Sequence, residues 1–182
     1  MAEIITHEKI DIKTPIYTSK CETNFGQASI RGNASMQTFV PYSSIKKSAE
    51  SLDRARLGKQ RSESKIILNV LEAKKSGRHL TKKMGWVNHP AVLMWEGYED
   101  FLRVYSISIC LEWIKRGYKD TTLPFFLKGL DREKAHIKPE WWGDEKVHLS
   151  HRSKLISKMP EHYESIFEGT PHNLEYHWPI RS

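Results

Sequence analysis

The sequence has few cysteines and lacks any long apolar run. Cys21 and Cys110 are the only two cysteines among 182 residues, too few for the disulfide framework of a small secreted domain. No apolar run approaches the roughly 18 residues of a membrane span, so we expect no membrane partner. The N-terminal residues also lack the basic and then apolar order of a signal peptide. These absences together predict a cytoplasmic protein.

Several catalytic signatures are missing as well. The sequence contains no Walker-type glycine loop, no GxSxG elbow and no HExxH motif, which argues against the common NTPases, hydrolases and zinc proteases. His148 and His151 have an i, i+3 spacing, but no cysteine or carboxylate follows at a spacing typical of metal ligands. We therefore predict no metal site and no cofactor.

Positive charge, in contrast, is abundant. The 29 lysines and arginines exceed the 22 acidic residues and give a net charge of +7, with a pI of about 9.3. A basic domain of this kind points to a polyanionic partner, with nucleic acid as the first candidate. The alternative is charge that serves solubility alone. Residues 1–35 are neutral overall, so residues 36–182 carry the whole excess.

Composition divides the chain near residue 35. The β-forming residues and polar stretch of residues 1–35 predict an irregular N-terminal extension that contains a short strand. Apolar spacing over residues 36–182 predicts a mainly α, compact single-domain bundle with an aromatic C-terminal tail. We expect helices over 43–57, over 59–76, between Pro90 and Gly117, and over 150–158, with residues 122–149 irregular.

The segment 52–63, LDRARLGKQRSE, is the first candidate for a functional site. Four cations lie within eight residues: Arg54, Arg56, Lys59 and Arg61. A helix that runs through Gly58 would bring four residues to one face, since they are spaced i, i+3, i+4 and i+7: Arg56, Lys59, Gln60 and Glu63. A cationic face of this kind is suited to binding the phosphate groups of a nucleic acid.

Glu63 is the only carboxylate on that face. Its cationic neighbours should lower its pKa and keep it ionised at neutral pH. An ionised carboxylate suits the stabilisation of an oxocarbenium-like sugar. The alternative is a solvated helix face with a Lys59–Glu63 pair worth ~0.2–0.5 kcal/mol.

Two further segments contain candidate DNA contacts. In 85–95, GWVNHPAVLMW, Asn88 and His89 precede the expected helix start, where an anion is favoured, and Trp86 could stack on a base or wedge into a duplex. The alternative is that Asn88 is a helix cap and the tryptophans are core residues. In HLSHRSK, three residues could face phosphates or be surface charge without a role: His151, Arg152 and Lys154.

Five segments together resemble the small bacterial and phage proteins related to pyrimidine-dimer DNA glycosylase, of the phage endonuclease V type. They are MQTFVPY (36–42), LDRARLGKQRSE (52–63), GWVNHPAVLMW (85–95), LEWIKRGYKDT (111–121) and SHRSKLISKMPEHY (150–163). The resemblance implies a helical domain that kinks double-stranded DNA, flips a nucleotide out of the stack and excises one pyrimidine of a dimer. It also implies phosphate contacts by the cations of 52–63. We expect a monomer.

The resemblance further implies a mechanism. The family uses a free N-terminal amine, which attacks C1′ and forms a Schiff base, assisted by a glutamate in an early helix. Glu63 matches that glutamate, and the amine is expected near Gln37 and Thr38. Here 35 residues precede Met36, and a peptide nitrogen is not nucleophilic.

Several explanations of this blocked amine remain open. The extension is removed, translation also starts at Met36, or water or a nearby lysine replaces the amine. Otherwise catalysis is lost, which leaves a non-catalytic nucleic-acid-binding protein on the same scaffold. A further alternative is a protein-interaction module in which residues 1–35 bind a partner.

Overall fold

The computed structural model describes residues 36–77 and 86–179, and within them it contains seven helices and no strand. The helices are α1 (Ile45–Ser51), α2 (Arg54–Lys75), α3 (Pro90–Leu93), α4 (Glu99–Lys115), α5 (Leu123–Lys128), α6 (Glu145–Lys158) and α7 (Pro160–Tyr163). The mainly α fold is therefore confirmed. The extension over residues 1–35 and its strand lie outside the described residues, so the domain boundary stays a prediction. No helix in the described part is both long and apolar enough to cross a bilayer.

The helix predicted over 43–57 is in fact two helices. Asp53 interrupts it in an extended conformation and caps α2, because its carboxylate accepts from the N–H groups of Ala55 and Arg56 at 2.8 and 3.2 Å. Arg116, which follows α4, contacts the α1 side of this break. Its guanidinium donates to the backbone oxygens at the end of α1, including that of Leu52 at 2.7 Å, and so satisfies carbonyls that a helix end leaves unpaired.

Three other predicted boundaries were wrong. The helix expected from Pro90 to Gly117 is interrupted between α3 and α4, where Gly97 has a φ of +86° that few other residues adopt. α6 begins at Glu145 rather than at residue 150, because Asp144 caps it by accepting from the Lys146 N–H. The segment 122–149 is not wholly irregular, since it contains α5 and the start of α6.

The core lies where α2 packs against α4. Fully buried apolar side chains from both helices meet there: Leu57, Ile67 and Leu68 from α2, and Leu102, Tyr105 and Ile109 from α4. α2 runs through Gly58, where a Cβ atom would lie 3.1 Å from the Trp113 ring of α4. The glycine therefore allows close helix packing next to the α2 face that contains Lys59, Gln60 and Glu63.

An extended segment, residues 36–42, lies beside α2 without a strand partner in the described structure. Its backbone groups are bound by side chains instead. The Phe39 N–H donates to Gln60 Oε1 at 2.8 Å, and the Phe39 oxygen accepts from the Tyr105 hydroxyl at 2.7 Å. The Gln37 oxygen accepts from Gln60 Nε2 at 2.9 Å. These bonds join the segment to α2 and α4.

α6 holds the same segment from the other side through its two histidines. The Val40 N–H donates to His151 Nδ1 at 3.2 Å, and the Val40 oxygen lies 2.7 Å from His148 Nδ1. The Gly143 N–H donates to His148 Nε2 at 3.1 Å, so the hydrogen on His148 belongs on Nδ1. The i, i+3 spacing of the histidines therefore serves to bind backbone.

Tyr163 connects α7 to the start of α2 through hydrogen bonds. Its buried hydroxyl donates to Asp53 Oδ2 and accepts from the Asp53 N–H at 3.0 Å. Burial alone would raise the pKa of Asp53, but the hydrogen bonds from Tyr163 and the α2 amides, together with Arg56, lower it below its usual value. The N-cap of α2 is thus kept ionised.

Replacing Tyr163 by phenylalanine should lower the free energy of unfolding by about 1–3 kcal/mol, because two buried groups of Asp53 lose their partner. Urea denaturation at pH 7 measures this change. Tyr118→Phe is the matched control, since that half-buried ring packs on Trp113 near the surface. Equal losses in the two variants would contradict the assigned role of Tyr163.

Candidate active site

Gln60 and Glu63 form the centre of the site. Because α2 is continuous through Gly58, the face predicted from the spacing is present. Lys59 Nζ lies 3.1 Å from Glu63 Oε1, and Gln60 Nε2 donates to Glu63 Oε2 at 3.1 Å. Glu63 is only 6% exposed. Both carboxylate oxygens are therefore fixed in position.

The predicted direction of the Glu63 pKa shift was wrong. Burial raises the pKa of Glu63 above its ordinary value, and Lys59, Gln60 and the backbone amide of Gln37 offset this only in part. Spacing along a helix reveals the neighbouring charges but not the desolvation of the carboxyl group. A carboxyl group with a raised pKa is suited to exchange protons with a bound substrate.

The structure brings Gln37 close to Glu63, two residues to which the resemblance gives catalytic roles. The Gln37 backbone amide is close enough to the Glu63 carboxylate to lower its pKa by hydrogen bonding. Thr38, the other residue expected near the amine, is fully buried, and its hydroxyl accepts from the Trp95 indole at 2.8 Å. Gln37 therefore faces the carboxylate, whereas Thr38 anchors the segment to the core.

A cavity of about 320 Å³ opens beside Gln37, the neighbour of Glu63. Its walls include Gln37, Phe39, Arg56, Lys59, Lys158 and Tyr176. Gln37 is 3% exposed, and its side-chain amide lies close enough to the Tyr176 hydroxyl to affect the pKa of that hydroxyl. Three cations and a buried amide make this cavity suitable for an anionic, hydrogen-bonding ligand.

The other two cations of the segment 52–63, Arg54 and Arg61, are not among the residues that line the cavity. Arg61 pairs with Asp120, and its guanidinium lies 4.2 Å from the centre of the Trp113 ring. Arg54 is exposed, and its guanidinium lies 5.0 Å from the Tyr118 ring centre. Their DNA contacts stay a prediction. Gln60, also predicted to bind DNA, is fully buried and uses its amide within the protein.

Trp86, Asn88 and His89 lie at the start of α3. The helix cap is His89 rather than Asn88, because His89 Nδ1 accepts from the Ala91 N–H at 3.1 Å. Burial lowers the pKa of His89, whose ring lies 5.0 Å from the half-buried Trp86 ring. Asn88 is exposed. Trp178 of the C-terminal tail lies 6.2 Å from His89, between ring centres.

The cluster at His151, Arg152 and Lys154 does not share one solvent face. His151 is fully buried. Arg152 pairs with Glu145 and donates to the Pro41 oxygen at 2.8 Å. Lys154 lies 3.4 Å from Glu175. The buried His151 therefore does not face phosphates as expected, whereas DNA contacts by Arg152 and Lys154 stay a prediction.

Sequence reasoning did not identify Lys158 and Tyr176 as site residues. Lys158 begins the K-x-P-x-x-Y run at residues 158–163, and Tyr176 belongs to the aromatic tail. Both signals were therefore present in the sequence. Only the tertiary fold brings them to the cavity. Within the described ranges, no group of three or more His, Cys, Asp or Glu residues could hold a metal ion.

Residues 36–124 match the sequence model of a family described as pyrimidine dimer DNA glycosylase. This segment is just under half of the chain, and the match confirms there the resemblance seen in the sequence. The match includes Gln37, Gln60 and Glu63 but ends before Lys158 and Tyr176. No curated protein and no solved structure matches the chain significantly.

The buried His151 should make the stability of the protein depend on pH. Burial, followed by the effect of His148, lowers its pKa from 6.5 to about 3. Between these values the unfolded chain binds a proton that the folded chain excludes, so stability falls as the pH falls. The loss from this group should reach about 2 kcal/mol between pH 6.5 and pH 5.

Urea denaturation at several pH values tests this dependence. His151→Gln should flatten it, because glutamine keeps an acceptor but does not titrate. His172→Gln, at a half-exposed position, should leave the dependence unchanged. An unaltered pH slope in His151→Gln would contradict a neutral buried histidine.

Proposed function

We propose that this protein is a DNA repair glycosylase that flips out and excises a damaged or modified pyrimidine from double-stranded DNA. The observation that carries this proposal is the buried Glu63 carboxyl group, which is held by Lys59 and Gln60 next to a cationic cavity. The match of residues 36–124 to the model of a glycosylase family supports it. We further propose that it acts as a cytoplasmic monomer on kinked DNA.

The chemistry follows from the charges around the cavity. Cleavage of a glycosidic bond develops positive charge on the sugar, which the Glu63 carboxylate stabilises when ionised. Arg56 and Lys59 bind the phosphates that flank the extruded nucleotide. Extrusion is required because the reacting carbon is inaccessible within the stacked duplex.

Strand cleavage after excision requires an amine nucleophile. In the full chain, the nitrogen of Gln37 is part of a peptide bond and has no nucleophilic lone pair. A chain that begins at Gln37 would instead present a free amine next to Glu63. Removal of the preceding residues, or translation from Met36 followed by loss of the methionine, would produce this amine.

Glu63→Gln should abolish base release from ultraviolet-irradiated duplex DNA, with a loss of about 100-fold or more. The amide keeps the size of the side chain but cannot carry the negative charge. DNA binding should remain, since the cations of the cavity are unchanged. Counting abasic sites and measuring the Kd on the same DNA tests both effects.

Glu161→Gln, at an exposed position of α7, is the matched control and should keep full base release. Normal release by Glu63→Gln would exclude Glu63 as the catalytic carboxylate.

The second candidate function is a non-catalytic nucleic-acid-binding protein on this scaffold. The internal position of the Gln37 nitrogen favours it, because the amine used by the family is blocked. This function predicts tight, salt-sensitive binding with no abasic product on any substrate. Base release therefore distinguishes the two candidates.

Both functions require DNA contacts by the cavity cations. Lys59→Gln should weaken binding and reduce the slope of log K against log salt by about 1, since one phosphate contact is lost. Arg132→Gln, at an exposed loop position, should leave the slope unchanged. Binding titrations at several salt concentrations measure both slopes. An identical slope in Lys59→Gln and in the unaltered chain would exclude this contact.

A further inference from the structure

Lys158 provides a second amine at the cavity. We propose that Lys158 Nζ is the nucleophile of the full chain, attacking C1′ of the deoxyribose and forming a Schiff base. This inference rests on the proposed function of the same site. It removes the need for a free amine at Gln37.

The position of Lys158 is fixed by contacts between α6 and α2. Lys158 is the last residue of α6, and its backbone oxygen accepts from Arg56 Nη2 at 3.1 Å. Arg56 in turn lies 3.3 Å from Asp53, the N-cap of α2. The end of α6 is therefore held at the start of α2, and the Lys158 side chain lines the same cavity as Gln37.

Lys158 is also the cavity lysine that is not engaged by a carboxylate. Lys59 lies 3.1 Å from Glu63, and the nearby Lys154 lies 3.4 Å from Glu175. Lys158 forms no ion pair with any described residue. The amines of Lys59 and Lys154 are held by carboxylates and the Lys158 amine is not, so Lys158 is the better nucleophile.

Lys158 is exposed at the edge of the cavity, and its surroundings lower its pKa. Loss of part of its hydration lowers this pKa, and the positive charges of Arg56, Lys59 and Lys154 lower it further, whereas Glu63 opposes them. A lower pKa increases the fraction of unprotonated amine at neutral pH. The same three cations attract the phosphates of DNA, so the cavity joins anion binding to amine activation.

The reaction balances with groups that the site contains. Nζ adds to C1′ while the C1′–N1 bond breaks, and the pyrimidine leaves with the electron pair and takes a proton from water. Glu63 removes a proton from the attached nitrogen and passes it to O4′ as the C1′–O4′ bond breaks, which leaves an iminium at C1′. The hydroxide left when water protonates the pyrimidine takes a C2′ proton, and the 3′-phosphate leaves with the electron pair of the C3′–O bond. Water then hydrolyses the imine and releases the Lys158 amine.

Borohydride trapping of the full chain on preformed abasic duplex DNA tests this inference. Reduction should give a covalent adduct, and peptide mass spectrometry should locate it on Lys158. Lys158→Arg should lose the adduct and keep DNA binding, because arginine retains the charge but is not nucleophilic. Lys146→Arg, at an exposed position of the same helix, should retain the adduct.

An adduct on another lysine or on the N-terminal amine would overturn the inference, as would equal trapping by Lys158→Arg. Preformed abasic sites bypass base excision, so this result does not depend on the proposed glycosylase activity. Base release from irradiated DNA tests that activity separately. Release without any adduct would refute Lys158 as nucleophile and leave the glycosylase proposal intact.

Discussion

The buried amide of Gln60 is the interaction on which the site depends. An extended segment without a strand partner must have its backbone groups satisfied in another way, since each unpaired buried group costs ~1–3 kcal/mol. Gln60 binds the Phe39 N–H and the Gln37 oxygen, and it also donates to Glu63. One side chain therefore fixes both the segment and the carboxyl group, so Gln37 and Glu63 keep a defined relative position.

Burial and positive charge act on this site in opposite directions. Burial raises the pKa of Glu63, whereas Lys59 lowers it. The same combination lowers the pKa of Lys158, because burial and neighbouring cations both disfavour an ammonium. Shifts in these directions reduce the free-energy cost of moving a proton between the carboxyl group and the amine. The proposed roles of Glu63 and Lys158 require such a reduction.

Local features of the fold could be predicted from the sequence, and contacts between distant residues could not. The shared face of Lys59, Gln60 and Glu63 follows from helical spacing alone. The break at Asp53 was missed because apolar residues continue through it with helical spacing, although aspartate is a typical N-cap. His151 was interpreted as a surface cation because its partner, Val40, lies 111 residues away along the chain. The burial of Glu63 has the same non-local origin.

The cavity walls come from two parts of the chain. One part matches the family model, and the other lies beyond the end of the match. The matching segment, residues 36–124, supplies Gln37, Arg56 and Lys59 to the walls and the adjoining Glu63. Lys158 and Tyr176 come from later residues and complete the walls. A peptide nitrogen at Gln37 can donate a hydrogen bond to Glu63 but cannot attack C1′. If the full chain is catalytic, its nucleophile must therefore come from elsewhere, and Lys158 of α6 lies on the cavity wall where such a group is required.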